Sequence, residues 1–131
     1  MSPRSLAEVL ARARQGLYRV APVALEREVS DGALVVDIRP VEQRDRDGDM
    51  PHALVIDRNV LEWRLDPSSP HRVPEATGHD LRIILVCNEG YASSLAAASL
   101  QELGLSRATD LVGGYQAWRS EQAGLEPDRL P

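Results

Sequence analysis

The 131-residue chain is poor in cysteine, with Cys87 alone, and it contains neither lysine nor phenylalanine. A single cysteine excludes an internal disulfide and is too few for a cysteine-based metal site. A lone thiol stays free most easily in a reducing compartment, so we expect a cytoplasmic location. We expect neither a bound metal nor a cofactor.

The chain lacks a positive net charge and long apolar runs. All 15 basic residues are arginine, against 20 acidic residues, and the formal net charge is -5 at pH 7. Nucleic acids and anionic membranes bind basic surfaces, so we expect neither as a partner. No apolar run approaches the roughly 20 residues that span a bilayer. Charged residues interrupt the apolar positions near the N-terminus, and we therefore expect no signal peptide.

Apolar runs of strand length alternate with helical patterns along the chain. Residues 33–38 and 82–87 are the clearest strands, because continuous apolar runs are typical of parallel strands buried on both faces. Shorter strands are predicted at residues 18–20, 53–56 and 108–112. Helices are predicted at residues 5–15, 59–65, 93–103 and 114–123, and shorter ones begin at Pro22 and Pro40. This alternation predicts an α/β fold, with an open parallel sheet of about five strands flanked by helices on both faces.

The pattern predicts one domain with a short addition at each end. Residues 1–16 form an N-terminal helical extension that we expect to pack on the domain, residues 17–125 form the domain, and residues 126–131 form a C-terminal tail. Ser5 and Glu8 make a capping box at the start of the first helix. Residues 66–80 hold three prolines and predict a long surface loop.

Cys87 ends the strongest predicted strand and precedes a short loop and a long helix. Ligands of open α/β sheets bind beyond the carboxyl ends of the strands. Gly90 allows the loop unusual backbone angles, and the next helix directs its positive end to the same place. Such surroundings stabilise a thiolate or an anionic persulfide, and a thiolate is a nucleophile. The alternative is a buried structural cysteine, which is common.

Four short stretches carry a family resemblance. In chain order they are Asp37-Ile38-Arg39, residues 48–53 (GDMPHA), the loop with Cys87, Gly90 and Ser93, and residues 111–118 (LVGGYQAW). Together they resemble the motifs of single-domain rhodanese-like sulfurtransferases, and the last matches the family's closing motif in full. The resemblance covers roughly residues 18–124 and implies a rhodanese-like fold.

The resemblance implies a two-step sulfur transfer without a cofactor. Cys87 would take the sulfane sulfur of a donor such as thiosulfate as a persulfide, and would pass it to cyanide or to a thiol. A partner protein is a further possible donor or acceptor. The loop would contact the substrate through Asn88, Glu89, Gly90, Tyr91, Ala92 and Ser93. A loop of six residues matches the sulfur-handling members, whereas the related phosphatases and arsenate reductases have one residue more.

The loop departs from the family pattern in its charge. The sixth position usually holds arginine, and here it is Ala92, while Glu89 adds a negative charge. Loss of the arginine removes a bidentate oxyanion donor, so we expect a less charged donor than thiosulfate, such as a thiol persulfide. Arg58 either supplies the missing charge from the next strand end or is a plain surface residue. Asp37 and Arg39 are expected to form a buried polar link beneath the loop.

The remaining candidates have structural interpretations. Trp63 and Trp118 are predicted to be core or pocket wall, and Gly113 and Gly114 to form the turn into the last helix. The two serines at 93 and 94 are predicted N-caps of the helix after the loop. A rival to the enzyme is a rhodanese-like binding or regulatory module in which Cys87 is a redox sensor or has no role.

Overall fold

Four parallel strands form the sheet in the computed structural model, which describes residues 2–125. They are β1 (Leu34–Asp37), β2 (Leu54–Val55), β3 (Ile83–Val86) and β4 (Thr109–Asp110), in the order β2-β1-β3-β4. The register pairs Asp37 of β1 with Val86 of β3, so both strands end at the same edge. The α/β class and the open parallel sheet are therefore confirmed, and Cys87 follows β3 directly at this edge.

The predicted number of about five strands is slightly too high. Residues 18–20 make only one bridge, between Val20 and Leu111 beside β4. Tyr18 points into solvent with 85% of its surface exposed, and Pro22, which has no N–H to donate, opens a 3₁₀ turn two residues after Val20. The segment therefore joins the sheet through one residue instead of a strand.

Six helices connect or flank the strands within the described residues. They are α1 (Leu6–Arg14), α2 (Leu25–Ser30), α3 (Val41–Asp47), α4 (Leu61–Leu65), α5 (Ala92–Glu102) and α6 (Gly114–Leu125). The predicted capping box is confirmed, since the Ser5 hydroxyl accepts the Glu8 N–H and the Glu8 carboxylate accepts the Ser5 N–H. Each helix in residues 2–125 is too short or too polar to cross a lipid bilayer. The predicted tail at 126–131 lies outside the described residues.

The sheet separates two apolar cores. On one face, side chains of β1 and β3 pack on helices α4 and α5. The strand residues of this core are Val36, Ile83 and Leu85, and the helix residues include Leu61, Leu65, Ala96 and Leu100. On the other face, alternate residues of the same strands pack near α2 and α6. The strand residues of this core are Val35, Ile84 and Val86, and their partners include Leu25, Met50, Leu111 and Tyr115. Helices therefore cover both faces, as predicted, and the continuous apolar runs follow from burial on both sides.

The two tryptophans have different positions. Trp118 is partly buried and packs against the second core. Trp63 is 58% exposed, so its prediction as a core residue is wrong. The helical period explains the difference, because Leu61 and Leu65, four residues apart, take the inward face of α4. Trp63 lies halfway between them in sequence and therefore on the opposite side of the helix.

Candidate active site

Cys87 lies at the mouth of the loop between β3 and α5 and is 7% exposed. Its Sγ accepts backbone N–H groups from Gly90 at 3.1 Å and from Ser93 at 3.4 Å. The first contact requires a sharp reversal of the chain, which Gly90 makes with a φ of +86°. A side chain is strained in that region, so the glycine is needed for the loop to return to the sulfur.

The rest of the loop offers further donors. Within residues 2–125, four more backbone N–H groups around Cys87 have no hydrogen-bond partner; they belong to Asn88, Glu89, Tyr91 and Ala92. Helix α5 begins at Ala92 and directs its positive end at the same loop. A run of free N–H groups at a helix start stabilises an anion. The loop thus has the groups needed to hold a thiolate and a second, negatively charged sulfur.

The start of α6 supports the loop from below. Tyr115 N–H donates to the Cys87 carbonyl at 2.8 Å, and Gln116 N–H donates to the Asn88 carbonyl at 3.1 Å. A Cβ on Gly114 would lie 2.4 Å from the Cys87 carbonyl oxygen, which is closer than any side chain tolerates. The glycine pair therefore does more than make the predicted turn, because it lets α6 approach the active loop.

Ser93 and Ser94 are not the N-caps that were predicted. Helix α5 already includes both, and its N-cap position at Tyr91 has no side-chain cap. Both serines are fully buried, and each hydroxyl donates to Asp110 Oδ2 at 2.7 Å. Asp110, at the end of β4, is also fully buried and pairs with Arg19 at 2.8 Å. A buried carboxylate on the neighbouring strand thus takes both hydroxyls away from the helix terminus.

The Ser93 hydroxyl connects this buried carboxylate to the cysteine. Its oxygen lies 3.2 Å from Cys87 Sγ and 2.7 Å from Asp110 Oδ2. A hydroxyl has one proton to donate. A carboxylate at the shorter distance is the stronger acceptor, so Ser93 donates to Asp110 and presents its lone pairs to the thiol.

Asp37 and Arg39 form the buried polar link that the sequence predicts. Arg39 Nη2 lies 2.8 Å from Asp37 Oδ2, and both side chains are buried. The same Nη2 donates to the Gly48 carbonyl at 2.9 Å, while the guanidinium lies over the Tyr115 ring at 3.8 Å. The pair joins the end of β1 to the segment after α3 and to α6, beside the loop.

A cavity of about 460 Å³ opens beside Cys87. The predicted site residues on its wall are Cys87, Asn88, Glu89, Tyr91, Ala92, Arg58 and Arg39, together with Ile38, Pro40 and Gln43. The predicted residues Gly90 and Ser93 instead contact Sγ from the loop. All the predicted loop residues are thus brought together around one opening, and Asp37 pairs with Arg39 on its wall.

Arg58 reaches this cavity but is already paired. Its Nη1 donates to both Glu62 carboxylate oxygens at 3.0 Å, and its side chain is 41% exposed. Burial raises the pKa of Glu62, but hydrogen bonds from Ser99 and from its own backbone, together with Arg58, outweigh it and lower the pKa below its usual value. Glu62 therefore stays charged and offsets the positive charge of Arg58.

The sequence analysis missed three residues that contact the loop: Arg14, Arg19 and Asp110. Arg14 Nη2 and Arg19 Nη2 donate to the Gly90 carbonyl at 2.8 and 3.0 Å. The one available signal was the charged residue Asp110 inside the short strand predicted at residues 108–112.

Known proteins resemble this chain along most of its length. The family model of the rhodanese-like domain matches residues 21–121. The thiosulfate sulfurtransferase GlpE of Ectopseudomonas mendocina is 30% identical over 102 residues, which cover 78% of this chain and 84% of that protein. GlpE of Pseudomonas fluorescens matches with the same identity and coverage.

Solved structures show the same fold. A Rhodopseudomonas palustris protein of unknown function, named as a possible tyrosine phosphatase, has a TM-score of 0.82 and 29% identity, and the match covers 93% of this chain and 94% of that one. The human single-domain sulfurtransferase TSTD1 has a TM-score of 0.67 at 24% identity, over 79% of this chain and 96% of its own. With the family model matched over residues 21–121, this chain belongs to the rhodanese-like domain family.

Proposed function

We propose that the protein is a sulfurtransferase that carries sulfane sulfur as a persulfide on Cys87. The observation that supports this most directly is the position of Sγ, which two backbone N–H groups contact and which opens to a cavity lined by the same loop. The four other N–H groups of the loop are available to a second sulfur atom. Its relatives named thiosulfate sulfurtransferase agree with this chemistry.

The reaction has two steps. The Cys87 thiolate attacks the outer sulfur of the donor, a new S–S bond forms at Sγ, and the donor's S–S bond breaks with its electron pair. The leaving group is sulfite from thiosulfate, or a thiolate from a thiol persulfide. An acceptor, cyanide or a thiol, then attacks the terminal sulfur, and the electron pair returns to Cys87.

A thiol persulfide fits the cavity better than thiosulfate does. Both guanidinium groups on the cavity wall are paired, Arg39 with Asp37 and Arg58 with Glu62. Glu89 lies exposed on the same wall and adds negative charge. Thiosulfate carries two negative charges and would be repelled there, whereas a thiol persulfide carries one on its reacting end. We infer that a thiol persulfide, free or on a partner protein, is the preferred donor.

Intact mass spectrometry tests the persulfide. The wild-type protein is incubated separately with thiosulfate and with glutathione persulfide, beside the Cys87→Ser variant. Gain of one sulfur atom by the wild type only is the expected result, with the faster gain from glutathione persulfide. If no donor adds sulfur, the sulfurtransferase proposal fails and a binding or redox-sensing module takes its place.

The same experiment separates the two donors. Comparable or faster loading from thiosulfate would contradict the preference for a thiol persulfide and leave the sulfurtransferase itself standing. A phosphatase is not favoured, because that chemistry depends on an arginine clamp on the phosphate. The loop from Cys87 to Ala92 contains no arginine.

A further inference from the structure

Two arginines that precede the matched family region bind one carbonyl group of the active loop. Arg14, at the end of α1, donates from Nη2 to the Gly90 oxygen at 2.8 Å, and Arg19 donates from Nη2 to the same oxygen at 3.0 Å. A carbonyl has two lone pairs, and here both accept a charged donor. The family model begins at residue 21, so this pair lies outside it.

The contact fixes the direction of the next N–H group. All peptide bonds in the described residues are trans, and a trans peptide directs its C=O and its N–H to opposite sides. Two arginines that hold the Gly90 oxygen therefore turn the Tyr91 N–H away from themselves. Tyr91 lines the cavity beside Cys87, whereas neither arginine does. The N–H is thus oriented toward the side where sulfur would bind.

The two arginines differ in their net charge at the loop. Arg19 is paired with Asp110 at 2.8 Å, which offsets its charge. Arg14 has no carboxylate within salt-bridge distance in residues 2–125. It also donates to the Ser94 hydroxyl at 3.0 Å and lies 5.6 Å from the centre of the Tyr91 ring. Arg14 therefore brings to the loop a positive charge that no carboxylate within residues 2–125 neutralises.

We propose that Arg14 is a positioning residue of the sulfur-binding loop and supplies, from the N-terminal helix, positive charge that the loop itself lacks at Ala92. Its guanidinium polarises the Gly90–Tyr91 peptide and so strengthens the Tyr91 N–H as a donor on the cavity side of the loop. The role in sulfur transfer rests on the proposed function, but the effect on the Cys87 thiolate does not.

The rate at which iodoacetamide alkylates Cys87 measures the reactivity of the thiolate, and it requires no sulfur donor. The variants are Arg14→Met, Arg14→Lys and, as the matched control, Arg12→Met on the exposed side of the same helix. We expect Arg14→Met to slow alkylation at neutral pH by on the order of tenfold, because a nearby charge is lost. Its pH profile should move to higher pH, Arg14→Lys should recover part of the rate, and Arg12→Met should match the wild type.

Folding is checked by the melting temperature of each variant. A folded Arg14→Met protein with the wild-type rate and pH profile would overturn the inference, as would a Lys variant no faster than Met. If Arg14→Met does not fold, Arg14→Gln replaces it with the same expected slowing.

Persulfide loading, measured in parallel, distinguishes the two proposals. Failure of the wild type to load sulfur would refute the sulfurtransferase, while the alkylation rates would still decide the role of Arg14. Normal loading of the wild type, with equal alkylation in Arg14→Met and Arg12→Met, would refute only the role of Arg14.

Discussion

The hydroxyl of Ser93 touches the cysteine, yet its geometry gives it little part in holding the thiolate. Its single proton goes to Asp110 Oδ2 at 2.7 Å, whereas Cys87 Sγ is 3.2 Å from the oxygen. We therefore expect Ser93→Ala to change the rate of Cys87 alkylation by less than about threefold, because the backbone N–H donors remain. Iodoacetamide kinetics measure this, with Cys87→Ser as the blank. A loss of tenfold or more would mean that the hydroxyl turns toward the thiolate.

Gly114 allows the close contact between α6 and the loop because it has no side chain. An alanine there would place Cβ 2.4 Å from the Cys87 carbonyl oxygen, at a φ of +62°. We expect Gly114→Ala to lower the free energy of unfolding by at least about 1–2 kcal/mol, from the left-handed backbone alone. Persulfide loading should slow by roughly tenfold to a hundredfold, because the loop must move.

The matched control for Gly114 is Gly124→Ala in the same helix, where an added Cβ meets nothing within 4 Å. Urea unfolding should show it unchanged or slightly more stable, because alanine favours the helix. Equal stability of both variants would contradict the close approach of α6 to the loop.

Some of these residues were within reach of the sequence and others were not. The sequence predicts Cys87 and Gly90 as site residues because they follow a buried strand. It predicts the link between Asp37 and Arg39 because the two residues are only two positions apart. The arginine contacts to Gly90 join residues 76 and 71 positions apart, so no local pattern marks them. The sequence predicts the two serines as N-caps because no local pattern marks Asp110, their partner on another strand.

At the scale of elements, Asp47 joins α3 to α6 and to the active loop. It accepts from Gln116 Nε2 at 2.9 Å, and the same nitrogen donates to Asn88 Oδ1 at 2.9 Å. The hydrogen bond from Arg46 is the main cause that lowers the pKa of Asp47 from 3.8 to about 2; burial opposes it, and the hydrogen bond from Gln116 and the charge of Arg119 add to it. The contact between α3, α6 and the loop is thus stabilised by a carboxylate that must stay charged.

This carboxylate gives the fold an acid dependence. Above pH 3.8 the group is mostly ionised in the folded and unfolded chain, and its stabilisation is fully present well above that value. As pH falls toward 2, the unfolded chain takes up the proton first, so the contribution is lost. We expect urea unfolding of Asp47→Asn and of Arg46→Met to depend less steeply on pH in this window than the wild type. Arg12→Met is the control, and a wild-type slope in Arg46→Met would contradict the assignment.

Elements were easier to predict than their sizes. Helix and strand order followed from the alternation of apolar runs, because burial on both faces of a parallel sheet leaves a clear record in sequence. The strand expected at residues 18–20 became a single bridge because Pro22 ends it early. Helix α5 started one residue before its prediction, at Ala92, which no side-chain cap marks.

At the scale of the whole molecule, charge should govern the encounter with anionic donors. The chain carries a formal net charge of -5, and Glu89 adds negative charge at the cavity. Thiosulfate should therefore be repelled, and salt should relieve the repulsion as the screening length falls from about 30 Å at 0.01 M to about 8 Å at 0.15 M. We expect the rate of sulfur loading from thiosulfate to rise by roughly twofold to fivefold over this range.

Alkylation by iodoacetamide is the control for this salt dependence, because the reagent is uncharged and reaches the same sulfur. Its rate should stay flat, so any common effect of salt on Cys87 itself would appear there. A thiosulfate rate that falls with salt would mean that the positive charge of Arg14 behind the loop outweighs the net charge of the chain. That result would also favour thiosulfate as a donor, because the field at the cavity would then attract it.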